Sequence, residues 1–451
     1  MSEPSLLIVV LAAGKGTRMK SDRPKVLHEV GGRSMLGHVL ALASAAGASR
    51  LAVVVGPGMD DVRAEAERLA PGAEVFVQAE QRGTADAVLA ARAAIAAHRG
   101  DVMVLYADTP LIEVSTLSRL RRRLDSGSAV AVLGFEAADP TGYGRLLTGA
   151  HGRLEAIREE KDATDAERAI RLCNSGVLAF RVPDLAGLLG RIGNANAKGE
   201  FYLTDAVELA HRDGHEAGVV VCAEQEVLGV NARDQLAAAE DIWQRRARRL
   251  AMAGGTTMIA PETVWLSYDT RLGRDVVLEP NVVFGPGVVI EDGVRINAHC
   301  HLTGAVVRRG AIVGPFARLR PGADLGEGVH VGNFVEVKNV AMGAGAKANH
   351  LAYLGDGAVG ARANIGAGTI FCNYDGFTKS RTEVGEGAFV GSNSSLVAPV
   401  RIGAGAYVGS GSVITKNVAP DALALERAPQ EEREGWALKF RTMMARRKGK
   451  G

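Results

Sequence analysis

Leu11-Ala-Ala-Gly-Lys-Gly-Thr-Arg-Met19, followed by Pro24-Lys25, decides how the first half of this chain is read. The apolar run Leu6–Val10 before it has the composition of a buried strand. A Gly-rich turn after such a strand lets backbone N–H groups approach phosphate oxygens. Lys15, Arg18 and Lys25 then place three cations close together, enough to neutralise a di- or triphosphate. Spacing excludes two commoner phosphate motifs. Walker A needs a Gly at the position of Val9. The dinucleotide fingerprint needs Gly or Ala where Met19 stands.

Outward from this segment the chain alternates. Leu51–Val55, Val75–Val77, Val102–Tyr106 and Val130–Phe135 read as strands, and Ser34–Ala46, Asp60–Ala70, Thr84–Ala97 and Ser115–Leu124 as helices. That order predicts a Rossmann-like α/β domain over residues 1–229, with ligands at the carboxyl ends of its strands. Residues 230–252 read as a linker helix. Within it Leu236, Ala239, Trp243, Ala247 and Leu250 recur at helical spacing, and Arg245, Arg246, Arg248 and Arg249 read as a solvated face.

Residues 253–451 follow a different rule. Leu272, Leu278, Phe284, Ile290, Ile296 and Leu302 are six apart, and Val307, Val313, Leu319, Leu325, Val331 and Val337 repeat the spacing. Val384, Val390, Leu396, Ile402, Val408 and Ile414 do so again. This is the hexapeptide signature of a parallel β-helix, roughly eight coils over 272–414. The period breaks over Asn349–Gly357, leaving an irregular stretch there, and again from Cys372 to Glu383. Both stretches carry polar residues, among them Asn349, His350, Tyr353, Asn373, Tyr374, Lys379 and Arg381. A strict repeat that breaks for polar side chains points to a site.

Composition sets the class. The chain has 451 residues, 47% hydrophobic and 23% charged, with a formal charge of +2, which argues against a nucleic-acid binder. Cys173, Cys222, Cys300 and Cys372 form no C-x-x-C pair, so neither zinc ribbon nor disulfide framework is expected. Leu6–Ala13 is too short for a membrane span and lacks the basic flank of a signal peptide. A cytoplasmic protein is expected. His299, His301 and His330 read as structural, and Arg446-Arg-Lys448 with Lys450 as a disordered charged tail.

The Leu11–Met19 segment with Lys25 resembles the signature of sugar-1-phosphate nucleotidyltransferases. Gln78-Ala-Glu-Gln81, Gly83-Thr84, Tyr106-Ala-Asp108, Gly142-Tyr-Gly-Arg145, Glu159 before Lys161-Asp162, Asn174-Ser-Gly176 and Gly229-Val-Asn231 follow it in the first half. Arg318-Leu-Arg-Pro-Gly322, Gly332-Asn-Phe-Val-Glu-Val-Lys338, Asn349-His-Leu-Ala-Tyr-Leu-Gly-Asp356, Asn364-Ile-Gly-Ala-Gly368 and Cys372-Asn-Tyr-Asp-Gly376 follow in the second. In this order they resemble the bifunctional N-acetylglucosamine-1-phosphate uridyltransferase and glucosamine-1-phosphate N-acetyltransferase family over nearly the whole chain. Three positions depart: Ala107 and Asn349 stand where Gly is usual, and Ser175 where Thr is common. None removes a charged or catalytic group.

The resemblance implies a left-handed β-helix, a homotrimer with acetyl sites shared between chains, and a product that feeds cell-envelope precursors. For UTP and the sugar nucleotide it implies Leu11, Ala12, Ala13, Gly14, Lys25, Gln78, Gly83, Thr84, Tyr106, Ala107, Asp108, Gly144, Glu159, Asn174 and Asn231. Asp108 and Asn231 would hold Mg2+, with Arg18 and Lys25 balancing the triphosphate. For glucosamine 1-phosphate it implies Arg320, Lys338, Tyr353, Asn364 and Lys379. For acetyl-CoA it implies Ala367, Asn373, Tyr374, Ser392, Ser410 and Arg427. His350 is the expected base, since a thioester is attacked only by an unprotonated amine. Asn373 would support it, and Glu336 is a second candidate to orient the ring. Open alternatives remain at single residues: Asp108-Thr-Pro110 as a plain turn, Asn231 as a helix cap, Glu159 as a surface charge. Two other readings of the whole chain are a nucleotidyltransferase whose β-helix only regulates or oligomerises, and a sugar-nucleotide sensor.

Overall fold

The computed structural model describes residues 4–149 and 152–448. The chain divides into two compact units that meet between Ala247 and Arg248.

In the first unit Leu6–Val10 is the heart of β1 (Ser5–Leu11). After it come a two-stranded hairpin, β2 (Glu29–Val30) and β3 (Arg33–Ser34), then β4 (Arg50–Val55), β5 (Glu74–Val77) and β6 (Gly100–Tyr106). β7 (Val130–Glu136), β8 (Arg145–Thr148), β9 (Leu154–Arg158), β10 (Leu172–Phe180) and β11 (Ala217–Cys222) complete the unit's strands. The main path is β11-β7-β10-β6-β1-β4-β5, with β8 and β9 as a side hairpin. β10 runs antiparallel to β6 and β7, and the rest of the path is parallel. β1 feeds two cores. Leu6, Ile8 and Val10 point into one hydrophobic cluster, and Leu7, Val9 and Leu11 into the other. A strand covered on both faces needs such an unbroken apolar run. Strand order reverses at β1, with β4 on one side and β6 on the other, so the ligand crevice belongs at their carboxyl ends.

Helices fall close to their expected places, with one difference. The expected helix Thr84–Ala97 splits at Ala91 into Thr84–Ala90 and Arg92–Ala96. The linker helix is Arg233–Ala253. Trp243 lies where a Cβ on Gly31 would be, 2.6 Å from its Cζ3, and the Gly31 N–H donates to Glu240 at 2.7 Å. Its arginines are not one solvated face. Arg246 donates to the Leu111 carbonyl at 2.6 Å, and the buried Arg248 to that of Val264 at 3.1 Å. Carbonyls at element ends have no ladder partner, and the guanidinium forks supply one.

The second unit is a parallel β-helix whose strands pair with the next coil. Ten strands form one sheet, from Thr257–Met258 to Leu423–Ala424, so the coils run beyond 272–414 at both ends. Fourteen more form a second sheet that covers the two other faces. Every ladder aliphatic from Leu278 to Val337 and from Val384 to Ile414 is buried, while the first, Leu272, is half-buried. Glycines follow several inward aliphatics, as in Ile365-Gly366, Val384-Gly385 and Ile402-Gly403, and stacking requires them there. A Cβ on Gly366 would lie 2.5 Å from the Val390 carbonyl of the next coil.

The expected irregular stretch 349–357 is regular. Met342, Ala348 and Leu354 continue the buried ladder, and Tyr353–Val359 is one strand paired with Glu336–Met342. The apparent phase loss comes from five-residue steps at coil corners and from Met and Ala standing at inward positions. The second break is real. Between Ile370–Cys372 and Thr382–Val384 the chain leaves the prism as a loop, with Tyr374 and Phe377 exposed. Arg446, Arg447 and Lys448 form the last turn of a helix, Trp436–Lys448, rather than a disordered tail. Cations at a helix C-terminus favour that ending. Lys450 lies outside the described residues. No helix among the described residues is long and apolar enough to cross a membrane.

Candidate functional site

Two groups of the expected residues gather, one in each unit. In the first, β1 and β6 end side by side, and the Ala107 N–H donates to the Leu11 carbonyl at 3.0 Å. The Ala12 N–H donates to Val54, so the turn Ala12–Gly16 springs from the middle of the sheet. Gly14 has nothing within 4 Å of a virtual Cβ, leaving its backbone open to a ligand. Gly16 has φ +62, and its Cβ would fall 2.4 Å from Cβ of Lys25. That glycine lets the Lys25 turn pass beneath the loop.

Lys25 is buried, with its ammonium 2.5 Å from Asp108 Oδ2 and 2.9 Å from Asn231 Oδ1. A cation therefore already sits between the two expected metal ligands, whose oxygens are hard donors of the kind Mg2+ prefers. Among the described residues no three His, Cys, Asp or Glu side chains converge as a metal site. Mg2+ ordinarily takes only one or two protein oxygens and completes its shell with phosphate and water. Asn231 does not cap the linker helix with its side chain. Gln235 reaches back to accept from the N–H groups of Asn231 and Ala232, which leaves the Asn231 amide facing Lys25. Arg18 is exposed on the short turn Thr17–Met19.

One wall of this cleft carries Gln78, whose amide donates to Gly83 and Asp86. Thr84 accepts the Leu203 N–H at 2.9 Å. Gly83 has φ +133 and abuts the Phe201 backbone. Gln81, quoted above without a role, donates to the Ala13 carbonyl and braces the turn. The opposite wall is Tyr106, Gly144, Glu159 and Asn174. The Asn174 N–H donates to Gly144, a Cβ on Gly144 would touch Glu159, and Gly176 leaves room for the Tyr106 ring. Burial, reinforced by Asp108 and Glu159, holds the Tyr106 phenol far above its ordinary pKa, so it stays a neutral donor. Burial also raises Glu159, against the opposing pull of Lys198 and Thr204. Glu159 is thus part of the cleft rather than a plain surface charge. We expect Gly16→Ala to lower pyrophosphate release by about 10²-fold, because it displaces Lys25. Unchanged CoA release would localise the damage, and normal pyrophosphate release would contradict this placement of Lys25.

In the second unit the expected glucosamine 1-phosphate ligands centre on a residue the sequence reading passed over. Asp356 accepts from Lys338 at 3.3 Å, Asn339 at 2.9 Å and Asn373 at 2.5 Å. Burial alone would raise its pKa, but these donors outweigh burial and hold it below the carboxylate range. Lys379 lies against Lys338, and the neighbouring ammonium lowers its pKa. Two crowded cations are what a phosphate would relieve. Arg320 pairs with Glu336 at 2.8 Å. The Tyr353 hydroxyl and the Asn373 amide flank Gly355, whose Cβ would lie 2.5 Å from the former. Asn364 stands apart on the ten-stranded sheet, paired with Lys347.

His350 ends the strand Lys347–His350, exposed, with Nδ1 2.6 Å from Asn333 Oδ1. This corrects the expected support. Asn373 is committed to Asp356, and Glu336 to Arg318 and Arg320. Asn333 pairs with His350 across adjacent coils. From His350 a stripe of expected acetyl-CoA contacts climbs one corner. Gly368 N–H donates to His350 O, Asn393 N–H to Ala367 O, and Gly411 N–H to Ser392 O. Arg427 donates to the Ser410 carbonyl at 2.7 Å. Tyr374 stands on the protruding loop, its hydroxyl on Gly376 O.

Comparison with known proteins adds to this geometry. Residues 8–173 match the MobA-like NTP transferase domain family. Residues 269–304 and 381–416 match the bacterial transferase hexapeptide (six repeats) family. The Bifunctional protein GlmU of Azorhizobium caulinodans is 63% identical over 441 residues, covering 98% of each chain. That of Xanthobacter autotrophicus is 61% identical over 449 residues, covering 100% of each. That of Nitrobacter hamburgensis is 57% identical over 443 residues, covering 98% of each. This chain belongs to the GlmU family. It is a bifunctional transferase, with a nucleotidyltransferase half and an acyltransferase half. In GlmU terms the two residue groups above are its two candidate active sites.

Proposed function

We infer that the chain makes UDP-N-acetylglucosamine in two steps. Acetyl-CoA first acetylates glucosamine 1-phosphate, and UTP then uridylylates N-acetylglucosamine 1-phosphate with release of pyrophosphate. Two separate polar sites on two folds, in a chain matched end to end by GlmU relatives, carry this reading. A β-helix that only regulates or oligomerises would have no use for the His350–Asn333 pair or the Asp356 cluster. A sensor would not need Lys25 held between Asp108 and Asn231.

For acetyl transfer, Asn333 Oδ1 can only accept, so the His350 proton sits on Nδ1 and the Nε2 lone pair is the base. Nε2 takes a proton as the amine nitrogen bonds to the thioester carbonyl carbon. The C–S bond then breaks, and the thiolate leaves as CoA with a proton. Lys338, Lys379 and Arg320 would hold the phosphate and Tyr353 the sugar. The Ala367–Ser392–Ser410 stripe gives the CoA arm a close track to Arg427.

For uridylyl transfer, Asp108 and Asn231 would hold Mg2+, which supplies charge neutralisation on the triphosphate. Lys25 and Arg18 would neutralise the phosphate oxygens as the sugar phosphate attacks in line at the α-phosphorus and pyrophosphate leaves. Leu11–Gly14, Gln78, Gly83 and Thr84 would take the uridine side, and Tyr106, Gly144, Glu159 and Asn174 the N-acetylglucosamine side.

We also propose a cytoplasmic homotrimer whose product feeds peptidoglycan and lipopolysaccharide-type envelope precursors. His299, Phe316 and Phe334 stack along one corner at 4.7 and 5.2 Å, with Phe316, Phe334 and Leu351 exposed beside His350. Exposed apolar rows of this kind suit burial between copies. Light scattering should give three times the mass of one chain, and a stable monomer with full acetyl transfer would contradict the assembly.

The proposed division is a uridylyltransferase domain at 1–229, a linker helix at 230–252 and an acetyltransferase domain at 253–451. Because Asn231 completes the first site, a functional cut falls after the helix. A fragment of residues 1–252 should keep Mg2+-dependent pyrophosphate release and lose CoA release. A folded fragment without pyrophosphate release would refute the division.

A further inference from the structure

One contact in the first unit ties three parts of the uridylyl site together without involving any expected ligand group directly. His28 follows the short turn Lys25–Leu27, and its backbone N–H donates to the Lys25 carbonyl at 3.2 Å. The ring is buried, 6% exposed. Arg233 opens the linker helix two residues past Asn231 and reaches both ends of the loop. Its Nε donates to the Met19 carbonyl at 3.2 Å, and its Nη1 lies 3.3 Å from His28 Nδ1. A guanidinium has donors only, so Nδ1 must offer its lone pair and the ring proton sits on Nε2. The ring is therefore neutral. Burial first, then Arg233 and Arg23, hold its pKa below 6.5, against Glu29 and a backbone hydrogen bond with Arg23, which raise it.

We propose that Arg233 and His28 form a positioning pair for uridylyl transfer. One guanidinium pins the carbonyl end of the Gly-rich loop, the Lys25 turn and the start of the linker helix in a single arrangement. Arg18, Lys25 and Asn231 are then carried on one fixed backbone frame. Neither member touches substrate, and both act through the backbone that carries those three. The inference rests on the uridylyl reading of this cleft. A rigid frame matters because small misplacements of positioned groups cost rate steeply.

The test uses the full chain, measuring pyrophosphate release with UTP, N-acetylglucosamine 1-phosphate and Mg2+, with CoA release as the internal control. Arg233→Met removes both donors, Arg233→Lys keeps the charge but cannot bridge two acceptors as a fork does, and His28→Leu removes the acceptor. His28→Asn sets an amide oxygen where Nδ1 stood. Arg233→Met, Arg233→Lys and His28→Leu should each lower kcat for pyrophosphate release by about 10- to 100-fold, with CoA release unchanged. His28→Asn should restore most of the rate. The wild-type rate should also fall at acid pH, lower than an ordinary imidazole titrates, as the ring gains a proton and repels Arg233, and His28→Asn should lack that fall. If Arg233→Met loses both activities, Arg233→Lys decides. A wild-type rate in Arg233→Lys, or a His28→Asn as slow as His28→Leu, overturns the proposal. A wild-type chain that releases no pyrophosphate would instead remove the uridylyl reading itself.

Discussion

Asp108→Ala should lower pyrophosphate release by about 10³-fold or more and leave CoA release at the wild-type rate. The size follows from what the carboxylate does. Among the described residues it is the carboxylate paired with the Lys25 ammonium, at 2.5 Å, and it is one of two oxygen ligands proposed for Mg2+. Metal charge stabilisation in phosphoryl chemistry is worth several kcal/mol, and about 1.4 kcal/mol is tenfold in rate. Asp108→Asn, which keeps an oxygen but not the charge, should fall between. Coupled assays for the two released products on the same preparation check this. Loss of both activities in a folded Asp108→Ala chain would contradict the separation of the sites.

His350→Ala should show the opposite pattern, with acetyl transfer reduced by about 10²–10⁴-fold and pyrophosphate release intact. The variant should recover in part at alkaline pH, where more of the glucosamine amine is unprotonated without help. Asn333→Ala should lose less, about tenfold, because it frees the ring tautomer and orientation but leaves the base in place. A pH profile of CoA release for the three chains checks the series. If His350→Ala acetylated normally, the base would lie elsewhere. If Asn333→Ala were as impaired as His350→Ala, Asn333 would be more than an orienting partner.

The periodic parts of this fold were legible because burial writes itself into spacing. β1 carries an unbroken apolar run since both its faces are covered, and the β-helix carries an aliphatic at each inward turn. The reading failed where the inward residue was not the expected kind. Met342 and Ala348 fill ladder positions, so a regular coil at 349–357 looked like a break. The protruding loop after Cys372 is legible because no inward aliphatic stands between Phe371 and Val384.

The polar contacts of the second site follow a rule that was present in the sequence but not applied. Side chains one coil apart are neighbours, much as residues four apart are on a helix. His350 and Asn333 are 17 residues apart, Asp356 and Asn373 17, and Lys338 and Asp356 18. Counting back one coil from His350 leads to Asn333, where the resemblance implies Asn373 and the strand face next to Lys338 offers Glu336 as a second candidate. Asp356 stood inside a quoted motif without a role, because an acid among expected phosphate ligands has no obvious use until its three donors are seen. In the first unit no such rule exists. Lys25, Asp108 and Asn231 are separated by 83 and 206 residues, and only the resemblance brought them together before the fold did. Arg233 carried no signal at all, since an arginine in the first turn of a helix reads as an ordinary surface residue.

The central claim is that one chain performs both transfers in sequence on one sugar. The most direct measurement supplies glucosamine 1-phosphate, acetyl-CoA labelled in the acetyl group, UTP and Mg2+ to the purified full-length chain and follows the label. The account predicts labelled UDP-N-acetylglucosamine, with CoA and pyrophosphate released in equal amounts. Label that stays on acetyl-CoA while pyrophosphate release needs added N-acetylglucosamine 1-phosphate, or free labelled N-acetylglucosamine 1-phosphate as the end product, would contradict it.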